Sequence, residues 1–218
     1  DDVELGGKHV NASVLFADIV GFTSISEKLP PQDIASLLNE YFSLISTIAQ
    51  VHNGHIDKFM GDCAMVVFGV TDHSDHHSLD AINCSIMIRD TISQLNTTRL
   101  HHGKIPIHLK IGINSGVMIA GNLGSSDRME YTVIGDPVNI ASRLANIAES
   151  GQIIILEELY KTDSVSSQII ANKHKIIRVR GKQDPVSTWL VDNTRPQNQK
   201  LMKQQINHIL HTAFESIA

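Results

Sequence analysis

The stretch "SVLFADIVGFTSISEKL", residues 13–29, decides how the chain is interpreted, because an apolar strand ends there on a carboxylate. Residues 13–17 form an apolar run that predicts a buried strand, and Asp18 follows it directly. Gly21 indicates a turn, and residues 23–28 predict a short helix. A buried carboxylate is costly unless it is paired or binds a metal ion. Asp18 is therefore a candidate metal ligand, with a helix N-cap as the alternative.

Composition excludes several classes of protein. The chain has 218 residues and is 42% hydrophobic, which suits one ordered domain with a proper core. The net charge is −5 without a block of like charge, so no nucleic-acid surface is expected. The apolar runs are too short to span a bilayer, and no signal-peptide pattern is present. The two cysteines, Cys63 and Cys84, fit a reducing compartment and predict a cytoplasmic location.

The order of predicted elements indicates the fold class. After the first strand, a helix begins at Pro30-Pro31, and two short strands around Gly61-Asp62 predict a hairpin. A helix over residues 77–95 follows, and residues 107–122 predict a second pair of strands with Gly116 between them. Later strands and a helix beginning at Asp136-Pro137 complete the chain. This order predicts an α+β fold with a ferredoxin-like βαββαβ core and additional C-terminal strands and helices.

The predicted core brings a second carboxylate toward the first. Asp62 lies in the turn of the hairpin, whose strands neighbour the first strand in a ferredoxin-like sheet. Two carboxylates at one point suit Mg²⁺, which also takes ligands from substrate phosphates. The backbone N–H groups of Gly21, Phe22 and Thr23, at a helix start, suit a triphosphate. The alternative is that Asp18 is an N-cap and Asp62 an ordinary turn residue.

Four motifs together carry a resemblance to a known family. They are "FADIVGFT", "DKFMGD", "YTVIGDPVNIASRL" and "VRGK", and in this order the chain resembles the catalytic domain of a class III nucleotidyl cyclase over residues 10–192. The resemblance implies that Asp18, Asp62 and the Ile19 carbonyl bind two Mg²⁺ or Mn²⁺ ions. It also implies in-line attack of the ribose 3′-oxygen on the α-phosphorus, with pyrophosphate leaving.

The resemblance assigns further substrate contacts. Asn139 and Arg143, four residues apart on one helix, would orient the ribose and stabilise charge on the α-phosphate. Arg180 stands where the family usually has a lysine that contacts the terminal phosphates, and Lys182 is a competing candidate. For Asn139 and Arg143, the alternative is a capping or surface asparagine and a solvated arginine.

Two positions bear on the choice of base. Lys58 matches the lysine that donates to adenine N1, and Thr132 matches the position that meets the 6-amino group. Many family members have aspartate in place of Thr132, and a hydroxyl can either accept or donate a hydrogen bond. Lys58 therefore carries most of the prediction that ATP is the substrate. Threonine marks a subgroup in which some members respond to bicarbonate or CO₂, so such a response stays open.

Together, the motifs and these positions predict an adenylyl cyclase that makes cyclic AMP and pyrophosphate. Because the family draws its metal ligands from one protomer and its base contacts from the other, and this chain holds both sets, a homodimer with two sites is expected. A guanylyl cyclase and a catalytically silent dimerisation or regulatory domain are the alternatives.

The chain opens on Asp1, so we expect a piece of a longer protein with an upstream sensor domain, which could be tethered to a membrane. We divide it into a lead-in (residues 1–12), a catalytic domain (13–192) and a tail (193–218) that predicts an amphipathic helix.

Overall fold

The computed structural model describes residues 6–71, 74–125, 128–179 and 184–215. The strands are β1 (Gly6–Ile19), β2 (Gly54–Met60), β3 (Cys63–Phe68), β4 (Leu109–Ser125), β5 (Arg128–Ile134), β6 (Ile153–Leu156), β7 (Ile169–Ile177) and β8 (Val186–Thr194). The helices are α1 (Phe22–Ser26), α2 (Pro31–Val51), α3 (His77–His101), α4 (Asp136–Ile147), α5 (Glu157–Tyr160), α6 (Asp163–Ser166) and α7 (Pro196–Glu215).

One mixed sheet organises these elements. Its strand order is β2-β3-β1-β4-β6-β8-β7, and β5 pairs with β4 outside this path. The first four strands pair antiparallel, in the order expected of a ferredoxin-like βαββαβ unit, while β6 joins β4 in parallel. The predicted α+β class is confirmed.

The prediction of a hairpin within residues 107–122 is wrong. Residues 109–122 belong to one strand, β4, and pair continuously with β1, with Ala12 opposite Gly116. Gly116 has a φ of 155°, and a Cβ there would lie 3.0 Å from Pro137 at the start of α4. The glycine therefore admits the close approach of α4 within the strand and does not form a hairpin turn. Residues 6–12 of β1, which the sequence assigns to the lead-in, also pair with β4 and are therefore part of the sheet.

Both faces of β1 are buried over residues 12–17, which explains the apolar run at residues 14–17. Leu15, Ala17 and Ile19 belong to the cluster packed against α2 and α3, whereas Val14 and Phe16 belong to the cluster beneath α4. Successive side chains of a strand point to opposite faces. Asp18 continues the series of Val14 and Phe16, so it lies on the α4 face at the end of the strand.

Helix α4 packs directly on the backbone of β4. A Cβ at Gly112 would lie 2.2 Å from the nitrogen of Ala145 and 2.4 Å from the oxygen of Ala141, so only glycine permits this approach. Gly112 is two residues beyond Lys110, which pairs with Asp18. The close packing therefore holds α4 on the face and at the end of the sheet where Asp18 lies.

The C-terminal segment folds onto the domain. Met202, Ile206 and Ile209 of α7 belong to the larger core cluster, on the side of the sheet covered by α3. Within the described part of the chain, no helix combines the length and the apolar character needed to cross a membrane.

Candidate active site

Two carboxyl groups meet at the end of β1. Asp18 lies opposite Cys63, the first residue of β3, and Asp62 precedes it in the hairpin turn. The side chains of Asp18 and Asp62 lie within hydrogen-bonding reach, so a hydrogen bond joins them when one carboxyl is protonated. On the other side of β1, Lys110 is the direct partner of Asp18, and its Nζ lies 3.1 Å from Asp18 Oδ2. We call Asp18, Asp62 and Lys110 the acidic end.

The acidic end holds like charges close together. The pKa of Asp62 is raised to about 6, first by burial and then by its hydrogen bond and charge repulsion with Asp18, while Lys110 opposes the shift. Burial, followed by the charges of Asp18 and Asp62, raises the pKa of the Cys63 thiol to about 12, so this thiol stays protonated. Burial and the charges of Cys63, Asp18 and Asp62 also raise the pKa of Tyr41, whose hydroxyl is buried without a hydrogen-bond partner among the described residues.

The carboxylates of Asp18 and Asp62 suit a divalent cation that takes most of its ligands from substrate and water. No cluster of three or more His, Cys, Asp and Glu side chains that could hold a metal occurs in residues 6–71, 74–125, 128–179 and 184–215. Two touching carboxylates beside a strand end match Mg²⁺, which commonly binds one or two carboxylates together with substrate phosphates and water.

The turn after Asp18 is open to a ligand. Gly21 adopts a left-handed φ of 68° and precedes α1, and nothing lies within 4 Å of a Cβ placed there. The N–H of Val20 donates to the carbonyl of His108 at 2.9 Å, which ties the turn to the chain just before β4. Phe22 and Thr23 form the first turn of α1, so the predicted phosphate segment follows Asp18 at once.

A second charged group joins β2 to β5. Lys58 Nζ lies 2.9 Å from Glu130 Oε2 and 3.5 Å from Asp57 Oδ2. Thr132 donates its hydroxyl hydrogen to the same Asp57 oxygen at 2.8 Å. We call Asp57, Lys58, Glu130 and Thr132 the base end. The structure thus brings the two predicted base-contacting residues, Lys58 and Thr132, into one cluster.

A cavity of about 230 Å³ borders the base end. Asp57 and Thr132 line it, together with apolar side chains that include Val67, Val70 and Val133. A small number of polar groups within an apolar wall is typical of small-molecule sites.

Helix α4 carries the other predicted contacts. Gly135 precedes it with a φ of 149°, and Pro137 stands in its first turn. Asn139 is exposed and Arg143 is half-buried, one turn apart on the helix. Arg180 and Lys182 lie outside the described residues.

Sequence reasoning missed Lys110, Asp57 and Glu130. The pairing of Lys110 with Asp18 depends on the register of β1 against β4, which no short motif encodes. Asp57 stands beside Lys58 in "HIDKF", but regular strand alternation would place the two side chains on opposite faces. A β-bulge between Ile56 and Lys58 removes that alternation, and a bulge cannot be identified from this sequence.

A family model and a curated relative match most of the chain. The family model described as adenylate and guanylate cyclase catalytic domain matches residues 6–193. The chain belongs to the adenylate and guanylate cyclase catalytic domain family. An uncharacterized protein of Mycobacterium tuberculosis, Rv1318c, is 33% identical over 185 residues, which make up 84% of this cyclase domain and 33% of that protein. The cyclase domain therefore spans about a third of the length of this curated relative.

Solved structures place the cyclase domain beside enzymes of both specificities. The adenylyl cyclase CyaB from P. aeruginosa is 35% identical with a TM-score of 0.82, over 88% of this chain and 98% of that chain. The guanylyl cyclase Cya2 is 32% identical with a TM-score of 0.82, over 89% of this chain and 98% of that chain. Family and neighbours support a nucleotidyl cyclase, and they do not decide between ATP and GTP.

Proposed function

We propose that the chain is an adenylyl cyclase that converts ATP to cyclic AMP and pyrophosphate. The observation that carries the choice of ATP is the base end, where Lys58 and Thr132 are held in one cluster by Asp57 and Glu130. Lys58 has three N–H donors, and its two carboxylate partners account for two of them. The third can donate to N1 of adenine, whereas N1 of guanine carries a proton and needs an acceptor.

The acidic end serves the triphosphate and the attacking hydroxyl. Asp18, Asp62 and the Ile19 carbonyl would hold two Mg²⁺ or Mn²⁺ ions. Such ions, when bound, lower the pKa of the ribose 3′-hydroxyl and neutralise the phosphate charges. Lys110 offsets part of the carboxylate charge in the structure, 3.1 Å from Asp18.

Other residues of this chain position the nucleotide for in-line displacement. The backbone N–H groups of Gly21, Phe22 and Thr23 follow the metal ligand directly and suit the phosphates. Asn139 would orient the ribose, and Arg143 would stabilise the negative charge that grows on the α-phosphate. Arg180 would contact the terminal phosphates, with Lys182 as the competing candidate.

We further propose that two copies of the chain form a homodimer with the active sites between them. An exposed apolar set on β2, β4 and β5 supports this assembly, because large exposed apolar patches mark interaction surfaces. The set comprises Phe59, Met60, Val117, Met129, Tyr131 and Ile134. The base end lies on the same strands, so an interface there would bring it against the partner subunit.

The deciding experiment is incubation of the purified domain with ATP or GTP and Mn²⁺ or Mg²⁺, with the cyclic product separated and quantified. Formation of cyclic AMP at a higher kcat/KM than cyclic GMP supports the proposal. A preference for GTP would make the chain a guanylyl cyclase, as the similarity to Cya2 allows. Absence of either product from a folded, dimeric protein would indicate a silent domain. A cytoplasmic location, an upstream sensor and a bicarbonate response stay predictions.

A further inference from the structure

A β-bulge gives β2 an unusual pair of neighbouring side chains. The register of β2 against β3 shifts between Ile56 and Lys58, so Asp57 is the extra residue. A bulge bends its strand and re-aims side chains that would otherwise alternate. Glu130 and Thr132, two residues apart on β5, share one face. Asp57 contacts Thr132 while Lys58 contacts Glu130, so the bulge lets adjacent residues reach the same face of one strand.

Asp57 controls the direction of the Thr132 hydroxyl. The side chain of Asp57 is only 2% exposed, and its Oδ2 accepts the Thr132 hydrogen at 2.8 Å. A carboxylate accepts hydrogen bonds and does not donate them, so the single hydroxyl hydrogen of Thr132 is committed to Asp57. Thr132 is itself buried, with 8% of its surface exposed. Toward any further group, the Thr132 oxygen can therefore act only as a hydrogen-bond acceptor, through its lone pairs.

We propose that Asp57 is a positioning residue that fixes the Thr132 hydroxyl as a hydrogen-bond acceptor and thereby selects a purine with a 6-amino group. This inference rests on the proposed function, because it assumes that the base lies against Lys58 and Thr132. It removes an ambiguity that the sequence leaves open, since a threonine hydroxyl on its own can accept from adenine or donate to guanine.

The two contacts then discriminate in the same direction. Adenine presents a donor at its 6-amino group and an acceptor at N1, which match the oriented Thr132 and the N–H of Lys58. Guanine presents an acceptor at O6 and a donor at N1, so both contacts oppose it. Leaving a buried polar group unpaired costs roughly ten-fold to a hundred-fold in selectivity for each contact.

The test compares the ratio of kcat/KM for ATP to that for GTP in four variants of the purified domain. Asp57→Leu removes the acceptor and frees the Thr132 hydrogen, so we expect the ratio to fall about ten-fold or more, in part through a gain with GTP. Asp57→Asn is the matched control. Its amide oxygen is expected to replace Oδ2, because the neighbouring Lys58 ammonium disfavours the amide nitrogen there, so most of the ATP preference should be retained.

A double-mutant cycle separates positioning from a structural role. Thr132→Val should lower the ratio by itself, and adding Asp57→Leu to Thr132→Val should leave the ratio unchanged, because Asp57 acts through the hydroxyl. A purely structural role would reduce the rates with both nucleotides and leave the ratio alone. Thermal melts of each variant report folding. If Asp57→Leu fails to fold, Thr132→Val can still overturn the proposal, because an unchanged ratio in that variant would show that the hydroxyl does not select the base.

The outcomes distinguish this inference from the proposed function. A wild-type preference for GTP would overturn both. A wild-type preference for ATP with an unchanged ratio in Asp57→Leu, or in Thr132→Val, would overturn the role of Asp57 and leave the adenylyl cyclase assignment in place. The role of Asp57 would also be overturned if Asp57→Leu lowered the ratio as much in the Thr132→Val background as in the wild type. Asp57 would then act independently of the hydroxyl.

Discussion

The acidic end and the base end contain the same kinds of charge in different arrangements. Each has two carboxylates and one lysine, but at the acidic end Asp18 and Asp62 lie against each other. At the base end, Lys58 contacts both Asp57 and Glu130, and Thr132 supplies a further donor. Burial first, and then the hydrogen bond and charge of Asp18, raise the pKa of Asp62, while the pKa of Lys58 is raised chiefly by its hydrogen bond to Glu130.

The difference teaches that arrangement, more than net charge, decides whether a site needs an external ion. Two carboxylates in contact repel each other, and a divalent cation between them relieves that repulsion. A lysine between two carboxylates is already neutralised on both sides and gains little from another ion. The acidic end is therefore suited to bind metal, and the base end to present fixed donors and acceptors to a neutral base.

Breaking the acidic end should have the largest effect. Asp18→Ala or Asp62→Ala removes a metal ligand, and we expect cyclic-product formation to fall by a hundred-fold or more, on the order of the loss of a main electrostatic contact to a transition state. Folding should persist, because each change also removes one of two half-buried like charges. Product assays with circular dichroism check both statements. Glu130→Gln, which removes one carboxylate from the base end, should retain most activity. Normal turnover by either Asp variant would refute the metal assignment.

Mixing two inactive variants tests whether the two ends act across a dimer. Asp18→Ala and Arg143→Ala should each be inactive, but a mixed dimer would contain one site without either change. Random mixing at equal amounts should recover about a quarter of wild-type activity, if the sites are independent. Co-expression with two affinity tags isolates the mixed dimers for assay. Isolated mixed dimers without activity would show that each site is built from one chain.

Inverting the charge of Lys58 should change selectivity at the base end without abolishing metal binding. Lys58→Glu replaces the donor to N1 by an acceptor, so the ratio of kcat/KM for ATP to that for GTP should fall roughly ten-fold to a hundred-fold. Lys58→Gln, which keeps a donor, is the matched control and should lose less. The ratio is measured with both nucleotides at saturating Mn²⁺. If Lys58→Glu left the ratio as it is in the wild type, Lys58 would have no part in base selection.

The stability of the metal-free domain should sharpen the contrast between the two ends. In EDTA at pH 8, Asp62→Asn relieves the repulsion with Asp18, so we expect Tm to rise by about 2–4 °C, the change that 1 kcal/mol produces in a domain of this size. Wild type should gain stability on adding Mn²⁺, and Asp62→Asn should gain much less. At the base end, Glu130→Gln should not raise Tm, because it weakens a contact of Lys58. A lower Tm for Asp62→Asn in EDTA would contradict the repulsion at the acidic end.

Acid should destabilise the domain through a residue outside both ends. Burial lowers the pKa of His52 to about 4, and its Nε2 has no hydrogen-bond partner among the described residues. Between this value and the ordinary pKa of 6.5, the unfolded chain binds more protons, so stability is full above pH 6.5 and falls as the pH drops toward 4. We expect His52→Leu to remove about 1–2 kcal/mol of the loss between pH 7 and pH 5, measured by urea unfolding. An unchanged pH dependence would exclude His52 as the source.

The sequence predicts the parts of this molecule that depend on local patterns. Helix α2 follows from its apolar spacing after Pro31, and the hairpin of β2 and β3 follows from Gly61-Asp62 between apolar runs. The strand order also predicts that Asp18 and Asp62 lie near each other, and the structure places Asp18 opposite Cys63, the residue that follows Asp62. Each of these rests on residues near one another in the chain or on a common strand order.

The sequence does not predict features that depend on distant packing. Glycine is typical of a turn, but Gly116 lies within β4, because α4 packs against it through Pro137. The contacts of Lys110 and Asp57 depend on strand register and on a bulge. A one-residue change in register would place Lys110 on the opposite face from Asp18, so no local motif can encode the pair. The hydrogen-bond partner of Thr132, through which we propose that the base is selected, is likewise 75 residues away in the chain.

The pairing of β1 with β4 has a consequence for synthesis of the protein. Strand β1 is apolar on both faces, and its second neighbour, β4, begins only at Leu109. At about 5–20 residues per second, a ribosome that has completed β3 takes several more seconds to supply β4. During that interval β1 exposes an unpaired, apolar edge that invites aggregation. A fragment truncated before β4 should therefore precipitate or bind chaperones, even though it contains both aspartates of the acidic end.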